Sequence, residues 1–81
     1  MTYIGKVKAI EVLDNLKVVT VLLDKITDMS VNIGEKVVFG DKEDVAIKGW
    51  KFWSERLLLD IVIDAKVEGI EVGERVSIVG S

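Results

Sequence analysis

The chain has 81 residues, 49% of them apolar and 31% charged, with a formal net charge of −3, which suits one small domain with a packed core under a charged surface. Cysteine and histidine are absent, which excludes disulfides, thiolate or imidazole metal sites and any Ser-His or Cys-His nucleophile. The acidic balance argues against a non-specific grip on nucleic acid, and no run of about 20 apolar residues is present to span a membrane.

The N-terminal stretch MTYIGKVKAI has neither the long apolar run nor the cleavage pattern of a secretory signal, so a cytoplasmic protein is expected. It opens a mixed strand over about 3–12. Asp14 and Asn15 follow as a tight polar turn. KVVTVLL then alternates with period two, setting Val19, Val21 and Leu23 on one face and Val18, Thr20 and Leu22 on the other. Segment 25–33 is too short for more than one helical turn. A short strand over 35–40 ends at Gly40 and Asp41, and a longer one is expected over 44–52. Ser54 and Glu55 form the next turn. LLLDIVID, in a strand over 57–64, places Leu59, Ile61 and Ile63 against Leu58, Asp60, Val62 and Asp64. The loop 65–72 leads to a last strand over 74–79. β-branched residues dominate these runs, which favours strand over helix. Proline and glutamine are missing and asparagine occurs only at Asn15 and Asn32; with many Lys, Glu and Val this leans toward a heat-adapted source, a trend the absent proline runs against.

The chain also repeats itself. At an offset of 40, Val7 meets Ile47, Ile10 meets Trp50, Val12 meets Phe52, and Val19, Val21 and Leu23 meet Leu59, Ile61 and Ile63. One residue then drops out, and VNIGEKVVF (Val31–Phe39) matches IEVGERVSI (Ile70–Ile78). The reading is a duplicated strand–strand–loop–strand unit of about 40 residues. One unit cannot bury its own apolar face, whereas two packed about a pseudo-two-fold axis close a small barrel without open edges. In each box the glycine, Gly34 or Gly73, permits the turn into a strand. Glu35 and Glu74 are loop residues that anchor backbone amides or face water, and Val37, Phe39, Val76 and Ile78 point into the core.

The segments IGKV (Ile4–Val7), VNIGEKVVF and IEVGERVSI resemble the apolar-x-x-Gly-acid-x-Val box of the second domain of elongation factor Tu and related translational GTPases. The paired Gly-acid box also resembles that of the wider cradle-loop barrels built from duplicated halves. The resemblance runs from Gly5 to Ile78 and implies an all-β, six-stranded closed barrel in a single domain, with halves at about 3–40 and 43–80. That fold is shared with some flavin reductases. No Gly-x4-Gly-Lys-Ser/Thr loop is present, so GTPase activity is not implied. No Arg-x-Tyr-Ser-like run supports flavin binding.

KGWKFW (Lys48–Trp53) is the sharpest candidate site. It holds both tryptophans, Trp50 and Trp53, with Phe52, interleaved with Lys48 and Lys51. Such a run suits a stacking platform beside phosphate-binding charge, or an aromatic anchor for a protein partner. Core or subunit interface outweighs RNA binding, because large aromatics are mostly buried. Simple alternation puts Val45, Ile47 and Gly49 inside and Trp50 and Phe52 outside, unless Gly49 is a bulge that reverses the parity. The acidic residues of GDKED and the pair Asp60/Asp64 lack a metal-loop pattern and read as solvated turn and strand faces. Lys6, Lys8, Lys17 and Lys48 read as a basic stripe or as solubilising strand faces. The expected function is a stand-alone, non-catalytic binding or scaffold module without a cofactor, self-associating through the Trp50/Phe52 side or meeting a protein partner. The alternatives are an RNA- or ribosome-associated accessory using Lys48, Trp50, Lys51 and Trp53, and a small-ligand or flavin-binding barrel.

Overall fold

Short alternating runs and polar turns produce strands throughout the computed structural model, which describes residues 2–24 and 35–79. The strands are β1 (Thr2–Leu13), β2 (Leu16–Leu23), β3 (Lys36–Phe39), β4 (Val45–Ala46), β5 (Gly49–Trp53), β6 (Leu58–Asp64) and β7 (Arg75–Val79). They form one antiparallel sheet of seven strands in the order β4-β3-β7-β1-β2-β6-β5. Among the described residues the helical structure is a single 3-10 turn, Ser54–Arg56. None of the described helices is long and apolar enough to cross a membrane.

The all-β class is as expected, with one correction to the strands. The expected fourth strand splits into β4 and β5, which lie at opposite ends of the strand order. The break falls at Ile47 and Lys48. Ile47 N–H donates to the Glu35 carbonyl beside β3 (2.9 Å), while Lys48 N–H donates to the Val62 carbonyl of β6 (2.8 Å). One segment therefore serves both edges, and the ladders themselves leave a sheet with two ends.

The core lies on one face. Val19, Val21, Leu59, Ile61, Ile63, Val37 and Val76 are fully buried, with Val7, Ile47, Phe39, Leu23, Ile4 and Ile78 around them. The alternation of KVVTVLL and LLLDIVID appears as this burial pattern on β2 and β6. Burying such side chains contributes about 1.5–3 kcal/mol each relative to exposure.

Several pairings recur at the offset seen in the sequence. β2 and β6 are in register about Thr20 and Asp60, so that Val19 faces Ile61 and Val21 faces Leu59. β3 and β7 pair Val37 with Ile78 and Phe39 with Val76, about Val38 and Ser77. Gly5 and Lys6 pair with Val76 and Arg75, as Val45 and Ala46 pair with Val37 and Lys36. Val7 N–H donates to the Glu74 carbonyl as Ile47 N–H does to Glu35, each at 2.9 Å. The β1–β2 and β5–β6 hairpins differ: Val12 faces Lys17, but Phe52 faces Leu59. The longer 3-10 connection in the second half accounts for that shift, where the first uses a tight turn with Asp14 at φ 55°.

β1 is long because it pairs with β7 through its first part and with β2 through its second. Register shifts lie between Tyr3 and Gly5 and between Val7 and Ala9. Bulges of this kind bend a strand and increase its twist, which lets one strand leave one neighbour and join another. Gly5 sits between them. A Cβ there would lie 2.1 Å from the Leu22 carbonyl oxygen, so β1 and β2 approach this closely only because residue 5 has no side chain.

Candidate functional site

The bulge in β1 has a counterpart at the β4–β5 break, and it decides where the aromatics point. Trp50 faces Ile61 and Phe52 faces Leu59 across β5 and β6. Directly opposed residues of antiparallel strands share a face. Simple alternation from Ile47 is therefore corrected: the parity reverses between Ile47 and Trp50, and both side chains lie on the core side. Phe52 packs against the core, and Trp50 stays 38% exposed at the sheet's end. Lys51 and Trp53 point to the outer face, opposite Asp60 and Leu58. The run KGWKFW is thus divided between two faces.

The outer face is ordered in rows across four strands. Lys6, Leu22, Leu58 and Trp53 form one row; Ala9, Thr20, Asp60 and Lys51 the next; Glu11, Val18, Val62 and Gly49 the third. Two apolar rows flank a polar one. Leu22 is 47% exposed and Trp53 42%. At the centre, Asp60 accepts from Thr20 Oγ1 through Oδ1 (2.7 Å) and from the Trp53 indole N–H through Oδ2 (2.9 Å). Lys51 Nζ lies 4.0 Å from the Trp53 ring centre, a cation–π contact. The indole edge and one ring face are therefore fixed by the protein itself, and the remaining ring surface faces out. Thr20, Trp53, Arg56, Leu58 and Asp60 line a shallow concavity of about 230 Å³. That is below the range of about 300–1,000 Å³ usual for small-molecule sites.

Lys48 is committed elsewhere. Its Nζ lies 3.7 Å from Asp64 Oδ2. The Lys66 amide donating to Asp64 Oδ1 (2.8 Å), with Lys48 alongside, holds the Asp64 carboxyl below its ordinary range. A basic stripe, the less favoured reading of these lysines beside solubilising strand faces, is not assembled either: Lys17 Nζ turns to the Val67 carbonyl (2.5 Å), and Lys6 faces Leu22. Of the acidic turn, Asp44 stands 3.8 Å from Lys36.

The second Gly-Glu box is a built loop. Gly73 adopts φ 94°, which glycine tolerates and L side chains rarely adopt. Glu74 accepts the Glu71 amide through Oε1 (2.7 Å) and bonds Lys42 Nζ through Oε2. The Lys42 ammonium, with that amide, depresses the Glu74 carboxyl, and Glu74 raises Lys42 in turn. Arg75 stacks on Tyr3, 4.0 Å from its ring centre. In the first box the Glu35 carbonyl accepts from Ile47 N–H, and Gly34 lies outside the described residues.

Sequence reasoning missed Thr20, Leu22, Leu58 and Asp60 as parts of one face. A signal was present: Thr20 and Asp60 are polar positions 40 apart, each inside an apolar run. Comparison with family models, with curated proteins and with solved structures returns no match.

Proposed function

We propose that the chain is a duplicated, closed barrel of the translation-factor type, working as a stand-alone, non-catalytic interaction module through the outer face of β1, β2, β6 and β5. The observation that carries the function is the row Leu22–Leu58–Trp53, exposed at Leu22 and Trp53 and half-buried at Leu58, beside the fixed Asp60. An ordered aromatic beside aliphatics resembles the anchors at the centres of protein interfaces. Self-association moves, on this reading, from the Trp50/Phe52 side to the Trp53/Leu22 side.

Duplication is supported by the paired registers about Thr20/Asp60 and Val38/Ser77. Closure is supported by the single segment that bonds β3 through Ile47 and β6 through Lys48. With β4 and β5 counted as one kinked strand, the pairings make a ring of six. A core face buried to this extent in a single sheet needs a cover, and a curled sheet covers itself.

RNA binding is the weaker reading. Asp60 and Asp64 stand beside Trp53 and Lys48, and a carboxylate repels phosphate. Trp50→Phe leaves Trp53 as the sole indole reporter. Its emission, followed from 1 µM to 1 mM protein and during titration with single-stranded RNA, tests the reading. A concentration-dependent blue shift supports a protein interface, and saturable, salt-sensitive quenching supports RNA. Emission unchanged in both series removes this face as a binding surface.

A further inference from the structure

We infer that a groove between β4 and the loop 65–72 binds a small organic cation, a short aliphatic chain with an ammonium group at each end. The groove lies off the outer face, and the inference does not rest on the reading of that face. After β3 the chain turns, and residues 42–46 make one wall of the groove; residues of 67–70 make the other. The volume is about 410 Å³, inside the range of about 300–1,000 Å³ usual for small-molecule sites. Phe39 is buried beneath it, and Val45, Val67 and Ile70 are half-buried against the core, so the floor is apolar and fixed.

The loop wall is tied down at both ends. Ala65 N–H donates to the Asn15 carbonyl and Val67 N–H to the Asp64 carbonyl, each at 3.1 Å, and the Val67 carbonyl accepts from Lys17 Nζ. At the far end Glu74 accepts from the Glu71 amide (2.7 Å) and from Lys42 Nζ. Lys42 belongs to the first wall and lies against the second: a Cβ on Gly69 would be 3.2 Å from its Cε. A groove held open in this way loses little conformational freedom when a ligand enters.

The charge around it has one sign. Residues 40–46 and 67–74 hold six of the fourteen carboxylates and one of the eleven cations, which leaves eight against ten in the rest of the chain. That one cation, Lys42, is bonded to Glu74. The cations at the borders are engaged as well: Lys36 stands 3.8 Å from Asp44, Arg75 stacks on Tyr3, and Lys66 lies beside Asp64. Glu43 and Glu68, one on each wall, are exposed and meet no cation among the described residues. An apolar floor between two such carboxylates matches an aliphatic chain charged at both ends, and the same field turns anions away. The volume is that of one small molecule, which favours a free diamine over the backbone of a basic peptide. A ligand of about six heavy atoms should dissociate with a constant on the order of 1 mM.

Titration of the whole chain with 1,4-diaminobutane to about 50 mM, followed by methyl NMR shifts at constant ionic strength, tests this. The shifts of Val45, Val67 and Ile70 are expected to saturate while those of Leu22 and Val62 stay fixed. Butane-1,4-diol should bind at least tenfold more weakly, and Glu43→Gln combined with Glu68→Gln should weaken the diamine at least fivefold. Shifts no larger than those given by ammonium chloride overturn the site, as does a diol that binds as well as the diamine. A diamine indifferent to the double variant overturns the roles of Glu43 and Glu68. Saturation by a tri-lysine peptide with none by the diamine overturns the free ligand in favour of a basic partner. Should circular dichroism find the double variant unfolded, the diol and ammonium series decide alone.

Discussion

Gly5→Ala is expected to be among the most damaging single changes in the chain. A Cβ at residue 5 would lie 2.1 Å from the Leu22 oxygen, 2.9 Å from its carbonyl carbon and 3.0 Å from the Leu23 Cα. All three atoms are backbone, so no rotamer change relieves the clash. Relief requires β1 and β2 to separate by about 1 Å against a spacing of about 4.8 Å. That stretches the ladder where Gly5 faces Leu23 and Lys6 faces Leu22. Two weakened hydrogen bonds at about 1 kcal/mol each, with about 1–3 kcal/mol of overpacking strain, give a loss of about 3–5 kcal/mol. A chain of this length has roughly 4–12 kcal/mol in total. The melting temperature should fall by about 15–30 °C, followed by far-UV circular dichroism. Gly49→Ala is the control in the same sheet. Its new Cβ would meet only the Val62 side chain at 3.8 Å, and the position 40 residues earlier is Ala9. That change should be neutral or stabilise by up to about 1 kcal/mol. A loss under 1 kcal/mol in Gly5→Ala, or a greater loss in Gly49→Ala, would refute the close-approach argument.

Three further outcomes are expected. Ile61→Ala, fully buried, should cost about 3 kcal/mol by urea denaturation, and Leu22→Ala, 47% exposed, less than about 1 kcal/mol; equal costs would contradict the assignment of faces. Glu74 titrates lower when folded, so its contribution is present above its unfolded value of about 4.3 and is lost as pH falls through the folded value. The wild type should therefore lose more stability between pH 5 and pH 3 than Glu74→Gln, and parallel acid limbs would count against the Lys42–Glu74 loop anchor. In a closed barrel the Ile47 and Lys48 amides should exchange with solvent as slowly as those of Val19 and Ile61, whereas frayed sheet ends would exchange them orders of magnitude faster.

The core was legible because it depends on period alone. Val19, Val21 and Leu23, and 40 residues later Leu59, Ile61 and Ile63, alternate cleanly, and all are buried. The boxes were legible at Val37, Phe39, Val76 and Ile78, which follow a glycine into a strand and enter the core. The direction of the aromatics was not. Parity reverses beside Lys8 in β1 and beside Lys48 before β5, and a lysine carries no local mark of a bulge. The site was hidden for a related reason. Trp53 meets Asp60, and Asp60 meets Thr20, through the registers of β5–β6 and β2–β6, which composition does not set. Asp60 reads as a solvated carboxylate in the sequence, and the fold makes it the acceptor that fixes the indole.

The most direct measurement is a comparison of amide and side-chain NMR shifts at about 20 µM and about 1 mM protein. The shifts are expected to move for Val18, Leu22, Leu58, Val62 and the Trp53 indole, and to stay fixed for Val37, Ile78 and the Glu74 loop. Shifts that do not move at any concentration, or that move at the β3–β4 edge instead, would contradict the proposed self-association through this outer face.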